Sequence, residues 1–271
     1  MLKNLQSNVL VYGSIVMDEV NYQKPLKKIF KYGGPGLNFS TILSFLGVSV
    51  SLDCIIGSSK KDKMCLDYMR GNCIDVSRVI VRKGKTPKAT FFFDGKNVSS
   101  QFQPNLYTEL IREKPKDITK FSFLSICDES PNRIPFILKT GSILPTSFSP
   151  GPAIFFYTKN ELKEILEKTD YIIVNKNESD YLLKNVGLDE LFQKRCKVYI
   201  ETLDKSGSKI LTQSSSSILP SYEINESNPP IGCGDAFHAG FVYGLLNGED
   251  IIQSAKIGSK MASFVLSLYF W

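Results

Sequence analysis

The stretch Asn228-Pro229-Pro230-Ile231-Gly232-Cys233-Gly234-Asp235-Ala236-Phe237-His238-Ala239-Gly240 decides how this chain is read. Two glycines flanking one small residue let the backbone turn tightly and aim successive N–H groups at one point. The aspartate behind them opens a helix predicted to run to about Leu246. The free N–H groups and positive dipole end of such a helix attract phosphate, and Asp235 lies within reach of whatever that phosphate is transferred to. A carboxylate beside an anion hole points to phosphoryl transfer. Taken alone, the stretch also reads as a structural turn capped by Asp235. It is not the dinucleotide fingerprint, because Gly232-x-Gly234 lacks the third glycine, and the stretch holds no Gly-Lys-Ser/Thr of a Walker loop.

Upstream, strands alternate with helices. Val9–Tyr12 is a short apolar run ending at Gly13-Ser14, a buried first strand whose C-terminal end opens on a loop, where α/β folds host ligands. Phe39, Ile42, Leu43 and Leu46 fall at helical spacing behind Gly33-Gly34-Pro35-Gly36, and Gly47 stops that helix. Strands are predicted at Val48–Ile56, Phe121–Ile126, Ile143–Phe148, Tyr171–Val174, Val198–Thr202 and Ser208–Leu211. Between them come helices near Asp62–Arg70, from a Ser130 cap with Pro131 behind it, after the Thr158–Glu161 capping-box spacing, and at Glu178–Lys184. The serine run Ser214–Ser217 reads as a surface loop, and helices near Asp235–Leu246 and Asp250–Leu268 close the chain. Such alternation implies a mainly parallel sheet covered on both faces, with the anion loop expected at one edge. Two segments depart from it. The mixed stretch at about 15–32 looks like exposed β structure, and Phe91–Phe93 with Val98–Phe102 spells a hairpin through a type I′ Asp94-Gly95 turn. Paired together, 15–32 and 88–104 would make a small β lid on a single domain spanning 1–271.

The composition narrows the function classes. With 271 residues the chain can bury a substantial core. No stretch approaches the roughly 18 to 20 apolar residues of a membrane helix, and Val9–Val16 runs into Asp18 and Glu19 as a strand would, not as a signal peptide. A formal charge of +6 from scattered lysines argues against a nucleic-acid binder. Six cysteines show neither C-x-x-C nor zinc spacing, and there is a single histidine, His238, so reduced thiols in a cytoplasmic protein are expected. His238, one turn past Asp235, reads as a helix-surface residue. Cys233 reads as a small residue in the turn, with a thiol that a helix N-terminus could activate. The terminal Tyr269-Phe270-Trp271 reads as packing on a core or dimer face.

These residues carry a family resemblance. Ile231-Gly232-Cys233-Gly234-Asp235-Ala236-Phe237 resembles the C-terminal signature of ribokinase-like (phosphofructokinase B type) carbohydrate kinases, commonly D-T-x-G-A-G-D-x-F. Gly33-Gly34-Pro35-Gly36-Leu37-Asn38 resembles their G-G-x-G-x-N element, and Gly13-Ser14 through Asp18 the strand end before it. Asn175-Lys176-Asn177-Glu178 matches their N-x-x-E motif, and Thr202–Gly207 is similar to their T-x-G-x-x-G turn. The hits fall in the family's order over almost the whole chain. The resemblance implies a three-layer α/β/α fold with a mainly parallel sheet and a β lid, and an ATP-dependent kinase of a small sugar, polyol or nucleoside that uses Mg²⁺. It implies Asp235 as general base, with Gly232, Cys233 and Gly234 donating N–H groups to the transferred charge. Ser14, Asp18, Gly33, Gly34 and Asn38 would hold the acceptor, Asn175, Thr202 and Gly207 would serve the nucleotide, and Glu178 would act on the metal through water. Pro229, Pro230 and Ile231 replace the usual D-T-T run, removing side-chain oxygens beside the phosphates, and Asp204 and Pro35 stand where relatives often carry glycine and lysine. That departure keeps open a second reading, a catalytically weakened relative that binds a ligand or regulates. The lid could close over its own site or pair two subunits into a homodimer.

Overall fold

A computed structural model describes residues 8–23, 26–108, 117–141, 143–222 and 228–268; the Tyr269–Trp271 segment lies outside the described residues. In chain order the first strands are β1 (Asn8–Gly13), β2 (Val16–Tyr22), β3 (Lys27–Gly33), β4 (Ser49–Asp53) and β5 (Ile55–Ile56). Next come β6 (Ile74–Asp75), β7 (Ile80–Val81), β8 (Lys88–Phe93), β9 (Val98–Gln103) and β10 (Phe123–Cys127). The last are β11 (Thr146–Ser149), β12 (Tyr171–Asn175), β13 (Val198–Thr202), β14 (Ser208–Leu211) and β15 (Ser216–Leu219). The helices are α1 (Pro35–Phe45), α2 (Lys60–Gly71), α3 (Ile134–Gly141), α4 (Lys159–Leu166), α5 (Lys176–Asn185), α6 (Leu188–Gln193), α7 (Cys233–Leu246) and α8 (Ile251–Ser267).

Nine strands form the main sheet in the order β15-β14-β13-β12-β11-β10-β1-β4-β6. Every pairing from β6 to β13 is parallel, and β14 and β15 add an antiparallel edge. Alternation along β1 sends side chains to two cores. Leu10 and Tyr12 join Phe148, Leu162, Ile165 and Leu182 beneath α4 and α5, whereas Val9 and Val11 join Phe39, Ile42, Ala239 and Val242 beneath α1 and α7. These are the three layers. Because the strands run the same way, Gly13, Cys127, Ser149, Asn175 and Thr202 end them along one edge, where α/β folds bind ligands.

The two departing segments meet as a second sheet, β3-β2-β8-β9, joined by parallel pairing of β2 with β8. Glu19 straps three of its strands, its carboxylate meeting Lys28 Nζ at 2.6 Å and Lys88 Nζ at 2.7 Å. Those two ammonium groups hold the Glu19 carboxyl down at about 2. Strand alternation turns the neighbouring Asp18 to the opposite face of this sheet.

Several expectations need correction. The serine run is not wholly a loop, since Ser216–Leu219 pairs with β14 as the outermost strand, and the short helix α6 was not foreseen. The β8–β9 turn sits one residue later than a type I′ Asp94-Gly95 turn. Its central residues are Gly95, at φ +99°, and Lys96, with Asp94 Oδ1 accepting from the N–H groups of Lys96 and Asn97. Type I′ requires positive φ at both central residues, and only Gly95 has it. The Gly232–Asp235 loop does not sit on an outer strand of the sheet either. Helix α7 crosses its middle, with Phe241 against Tyr171 of β12 and His238 reaching Ser147 of β11.

Candidate active site

The site is built where β1 ends and α1 begins. Gly36 N–H donates to the Ser14 carbonyl at 3.0 Å, and the two chains pass so closely that a Cβ on Gly13 would lie 2.6 Å from Gly36 Cα. Gly34 sits at φ +93° as the residue before α1, a conformation that only glycine adopts without strain. The turn brings Asn38, on the first turn of α1, to the start of α7. There Asn38 Nδ2 donates to Asp235 Oδ2 at 2.8 Å, joining two segments 197 residues apart.

At that helix start Gly232 takes the left-handed conformation, φ +85°, and α7 begins at Cys233. The first four N–H groups of a helix have no intrahelical acceptor. Cys233 N–H turns back to the Pro230 carbonyl at 3.4 Å, while those of Gly232, Gly234 and Asp235 meet no acceptor among the described residues. Gly234 is exposed there. Of the three predicted donors, Cys233 is thus already engaged with the chain itself.

Asp235 is the electrostatic centre of the neighbourhood. Burial pushes its carboxyl up to about 6, against the opposing pull of the Asn38 amide and the Lys31 ammonium. Its charge in turn adds to the burial that lifts Asp18 to about 7, Asp128 to about 8 and Glu178 to about 7. Four carboxyl groups from β2, the end of β10, α5 and α7 thus face one region. Asp18 lies against Gly33, where a Cβ would fall 1.9 Å from Asp18 Oδ2, so the glycine is needed for the carboxylate to sit there.

The remaining predicted residues divide. Ser14 is buried, and its Oγ donates to Asp128 Oδ2 at 2.9 Å, which leaves its lone pairs as the open contact. Asn175 and Glu178 form a reciprocal capping box. Asn175 Oδ1 accepts from Glu178 N–H at 3.0 Å, Glu178 Oε2 accepts from Asn175 N–H at 3.1 Å, and Asn175 Nδ2 donates to Glu178 Oε1 at 2.6 Å. Glu178 is nonetheless buried, not a surface acid. Asn175 and Thr202 are register partners at neighbouring strand ends. Gly207, at φ +94°, closes the following turn with no room for a side chain, since a Cβ would meet the Leu219 carbonyl oxygen at 1.9 Å. That turn lies near α7, because the Asp204 charge reaches the Cys233 thiol.

One reading of a single residue is overturned and another is kept. His238 is in the core, not on the helix surface. Its Nε2 meets Ser147 Oγ at 2.7 Å, its Nδ1 lies 3.7 Å from Cys127 Sγ, and its ring packs on Phe39. Burial holds the imidazole down at about 3, so it stays neutral. Cys233 keeps its reading as a small residue in the turn, because burial, with help from Asp235, pushes its thiol up to about 12 instead of the helix terminus activating it.

Sequence reasoning missed three features. Asp128, at φ +50°, anchors Ser14 and accepts from Ala153 N–H at 2.9 Å. Its position just beyond a buried strand was the available signal. Lys31 faces the site from β3 as the register partner of Asp18, a placement that required the β2–β3 register. A Gly84-Lys85-Thr86 tripeptide also occurs, but β8 follows it instead of a helix, and Thr86 Oγ1 is held by Asp62 Oδ1 and Gly57 N–H.

A cavity of about 460 Å³ lies between the second sheet and the body, and Lys31, the register partner of Asp18, is part of its lining. Val20, Tyr22 and Ile29 line it from the sheet, Tyr68, Val265 and Leu268 from the body, and Asn228, Pro229 and Ile231 from the approach to α7. Most of the lining side chains are aliphatic or aromatic, with the Lys31 ammonium and the Asn228 amide among them.

No helix among the described residues is long and apolar enough to cross a membrane, and none of their acidic, cysteine or histidine side chains gather in threes around a metal position. The sequence profile for "pfkB family carbohydrate kinase" matches residues 6–269. A nucleoside kinase of Methanocaldococcus jannaschii is 29% identical over 242 residues, covering 87% of this chain and 79% of the relative. A 5-dehydro-2-deoxygluconokinase of Geobacillus thermodenitrificans is 23% identical over 270 residues, covering 87% and 78%. The crystal structure of the M. jannaschii nucleoside kinase superposes with a TM-score of 0.84 at 24% identity, covering 97% of this chain and 93% of that one. A Burkholderia thailandensis nucleoside kinase in complex with inosine gives a TM-score of 0.84 at 20% identity, covering 96% and 92%.

Proposed function

The chain belongs to the pfkB family of carbohydrate kinases, and from that premise we propose that it transfers the γ-phosphate of ATP to a ribose hydroxyl of a nucleoside. The observation that carries the choice of acceptor is the cavity. Asp18, the register partner of the lining residue Lys31, and Asn38 are polar groups suited to a sugar, and the mainly aliphatic and aromatic lining offers a surface that a free sugar would leave unfilled and a nucleobase would cover. The M. jannaschii relative, named a nucleoside kinase, and the fold shared with an inosine complex support the same choice.

In this reading Asp18 accepts from paired ribose hydroxyls, Asn38 both donates and accepts, and Gly33-Gly34 admits the sugar close to the backbone. Asp235 accepts the proton of the attacking hydroxyl. A carboxylate held at about 6 is mostly ionised near neutral pH yet more basic than an ordinary aspartate, which suits a general base. The N–H groups of Gly234 and Asp235, with the glycine turn at Gly232, meet the charge on the transferred group, and each such donor is worth roughly 3 kcal/mol. Asn175, Thr202 and Gly207 border the nucleotide at the ends of β12 and β13.

A hard cation that keeps its waters and rides on phosphates needs one carboxylate nearby, and the buried Glu178 fits that demand. Mg²⁺ bound through water to Glu178, with Asn175 beside it, would supply positive charge to the β- and γ-phosphates. The second sheet acts as a lid whose closure excludes water.

The test is ADP release from ATP and Mg²⁺ over a panel of nucleosides, free pentoses, hexoses, polyols and sugar acids. Turnover with nucleosides at least about tenfold above any free sugar, in kcat/KM, is the expected result, worth about 1.4 kcal/mol of transition-state binding. A preference for a sugar or sugar acid would overturn the acceptor. No ADP from any of them would favour the ligand-binding reading, which the Cys233 N–H spent on Pro230 supports.

A further inference from the structure

We propose that Lys31 is a further catalytic residue, a lid-borne ammonium group that contacts the phosphoryl group as it passes from nucleotide to acceptor. The inference rests on the phosphotransfer reading above and adds a residue to it.

Three observations carry it. Lys31 is the register partner of Asp18 in the β2–β3 ladder, so both side chains leave the sheet on the face turned toward the body. It lines the cavity, and among the described residues that do so it is the only charged one. The wall across from it, Asn228, Pro229 and Ile231, leads directly into Gly232 and the start of α7, yet brings no cation of its own. The Asn228 amide is already engaged, donating to the Leu266 carbonyl at 3.1 Å. Lys31 therefore stands between the acceptor side of the site and the phosphate side.

Charge balance gives the reason for it. Asp18, Asp128, Glu178 and Asp235 already gather in this region, and burial lowers the Lys31 pKa while Asp18 and Asp235 pull it back up. A transferred phosphoryl group brings negative charge next to the ionised base, in a place where burial already makes carboxylate charge costly. In a desolvated site this repulsion is large unless a cation stands close. During transfer the acceptor oxygen bonds to the γ-phosphorus and its proton passes to Asp235. The bond from that phosphorus to the β,γ-bridging oxygen breaks, and its electron pair leaves with ADP. Lys31 keeps its protons and donates N–H hydrogen bonds to the moving phosphoryl oxygens, a contact strongest where that charge is least neutralised. Because the lysine is on the lid, the contact forms only with the lid seated.

The experiment compares wild type, Lys31→Met and Lys31→Arg by steady-state ADP release with the best nucleoside, and by calorimetric nucleoside affinity without ATP. Lys31→Met is expected to lose about 100-fold in kcat with nucleoside Kd unchanged within about threefold, and Lys31→Arg to recover most of the loss. Equal melting temperatures show that the variants are folded. A kcat within about threefold of wild type in Lys31→Met, or a loss carried by nucleoside affinity, would overturn the assignment. If wild type turns over no acceptor, the functional reading fails, and Lys31 is then judged on inorganic phosphate. Wild type should gain melting temperature with it and Lys31→Met should not; equal gains would overturn the phosphate contact.

Discussion

Replacing Asp235 by asparagine should abolish turnover and at the same time make the protein more stable at neutral pH. The carboxyl rises from 3.8 to about 6, mainly through burial. At about 1.36 kcal/mol per pKa unit this is an upper limit of about 3 kcal/mol held against the fold once the group is ionised. The side chain is only partly buried, so solvent screening removes about half of that, and losing the charge on the Asn38 bond costs a further fraction of a kcal/mol. A net gain of about 1 kcal/mol remains, or about 2–4 °C in melting temperature for a chain of this size.

The sign follows from linkage. A carboxyl whose folded pKa is raised contributes stability that is fully present below its unfolded pKa and lost as pH rises through the folded value. The difference between Asp235→Asn and wild type should therefore be smallest near pH 4 and grow to a plateau above about pH 6.5. Asp18, Asp128 and Glu178 each have their carboxyl raised partly by Asp235, so relief of that repulsion acts in the same direction. Paired thermal melts across that range, with ADP release on the same samples, make the assay. A variant destabilised at pH 7.5, or one whose difference is flat with pH, would refute the electrostatic reasoning. Retained turnover would refute the role of Asp235 as base.

Gly33→Ala places a Cβ 1.9 Å from Asp18 Oδ2 and must push that carboxylate aside, so acceptor KM should rise at least about tenfold with circular dichroism unchanged. Gly207→Ala combines φ +94° with a collision at the Leu219 carbonyl and should cost about 1–3 kcal/mol, read as a lower melting temperature. The chain has a single histidine, so its ring signals are unambiguous by NMR. They should not titrate between about pH 5 and 8, because burial holds His238 near 3. Wild-type kcat/KM should fall on the acid side from about pH 7 down through 6, as Asp18, Glu178 and then Asp235 take up protons and with no part for histidine, and His238→Leu should leave that limb in place.

The layered fold was legible because its signals are local. Apolar runs such as Val9–Tyr12, the capping box at Thr158 and Glu161, and the glycines at Gly33-Gly34 and Gly232 each act within a few residues, and each produced the expected element. The misses involve longer reach. Ser216–Leu219 carries little hydrophobic signal, since as an outer strand it buries little and is held by backbone pairing to β14. The type I′ assignment failed because the Asp94 side chain caps the turn, shifting the glycine to its first central position.

The site shows the same division more sharply. Residues whose job is backbone geometry, such as Gly34 and Gly232, could be read from glycine spacing, and the acid behind them followed. What surrounds that acid could not, because burial and charge coupling are properties of the folded site. His238 lies on the same helix as Asp235, yet its side chain meets β10 and β11, so helical spacing alone could not separate an active-site face from a core face. Lys31 is the clearest case. Its sequence neighbours are an exposed-looking run of lysines and aromatics, and only the pairing of β3 with β2 turns it toward Asp18 while Lys28 turns to Glu19 on the other face. A one-residue slip of that register would exchange the two lysines, giving the cavity Lys28 and the outer strap Lys31. The chemistry assigned to the lid therefore depends on β2–β3 register, which the Glu19 bridges to Lys28 and Lys88 hold from the opposite face.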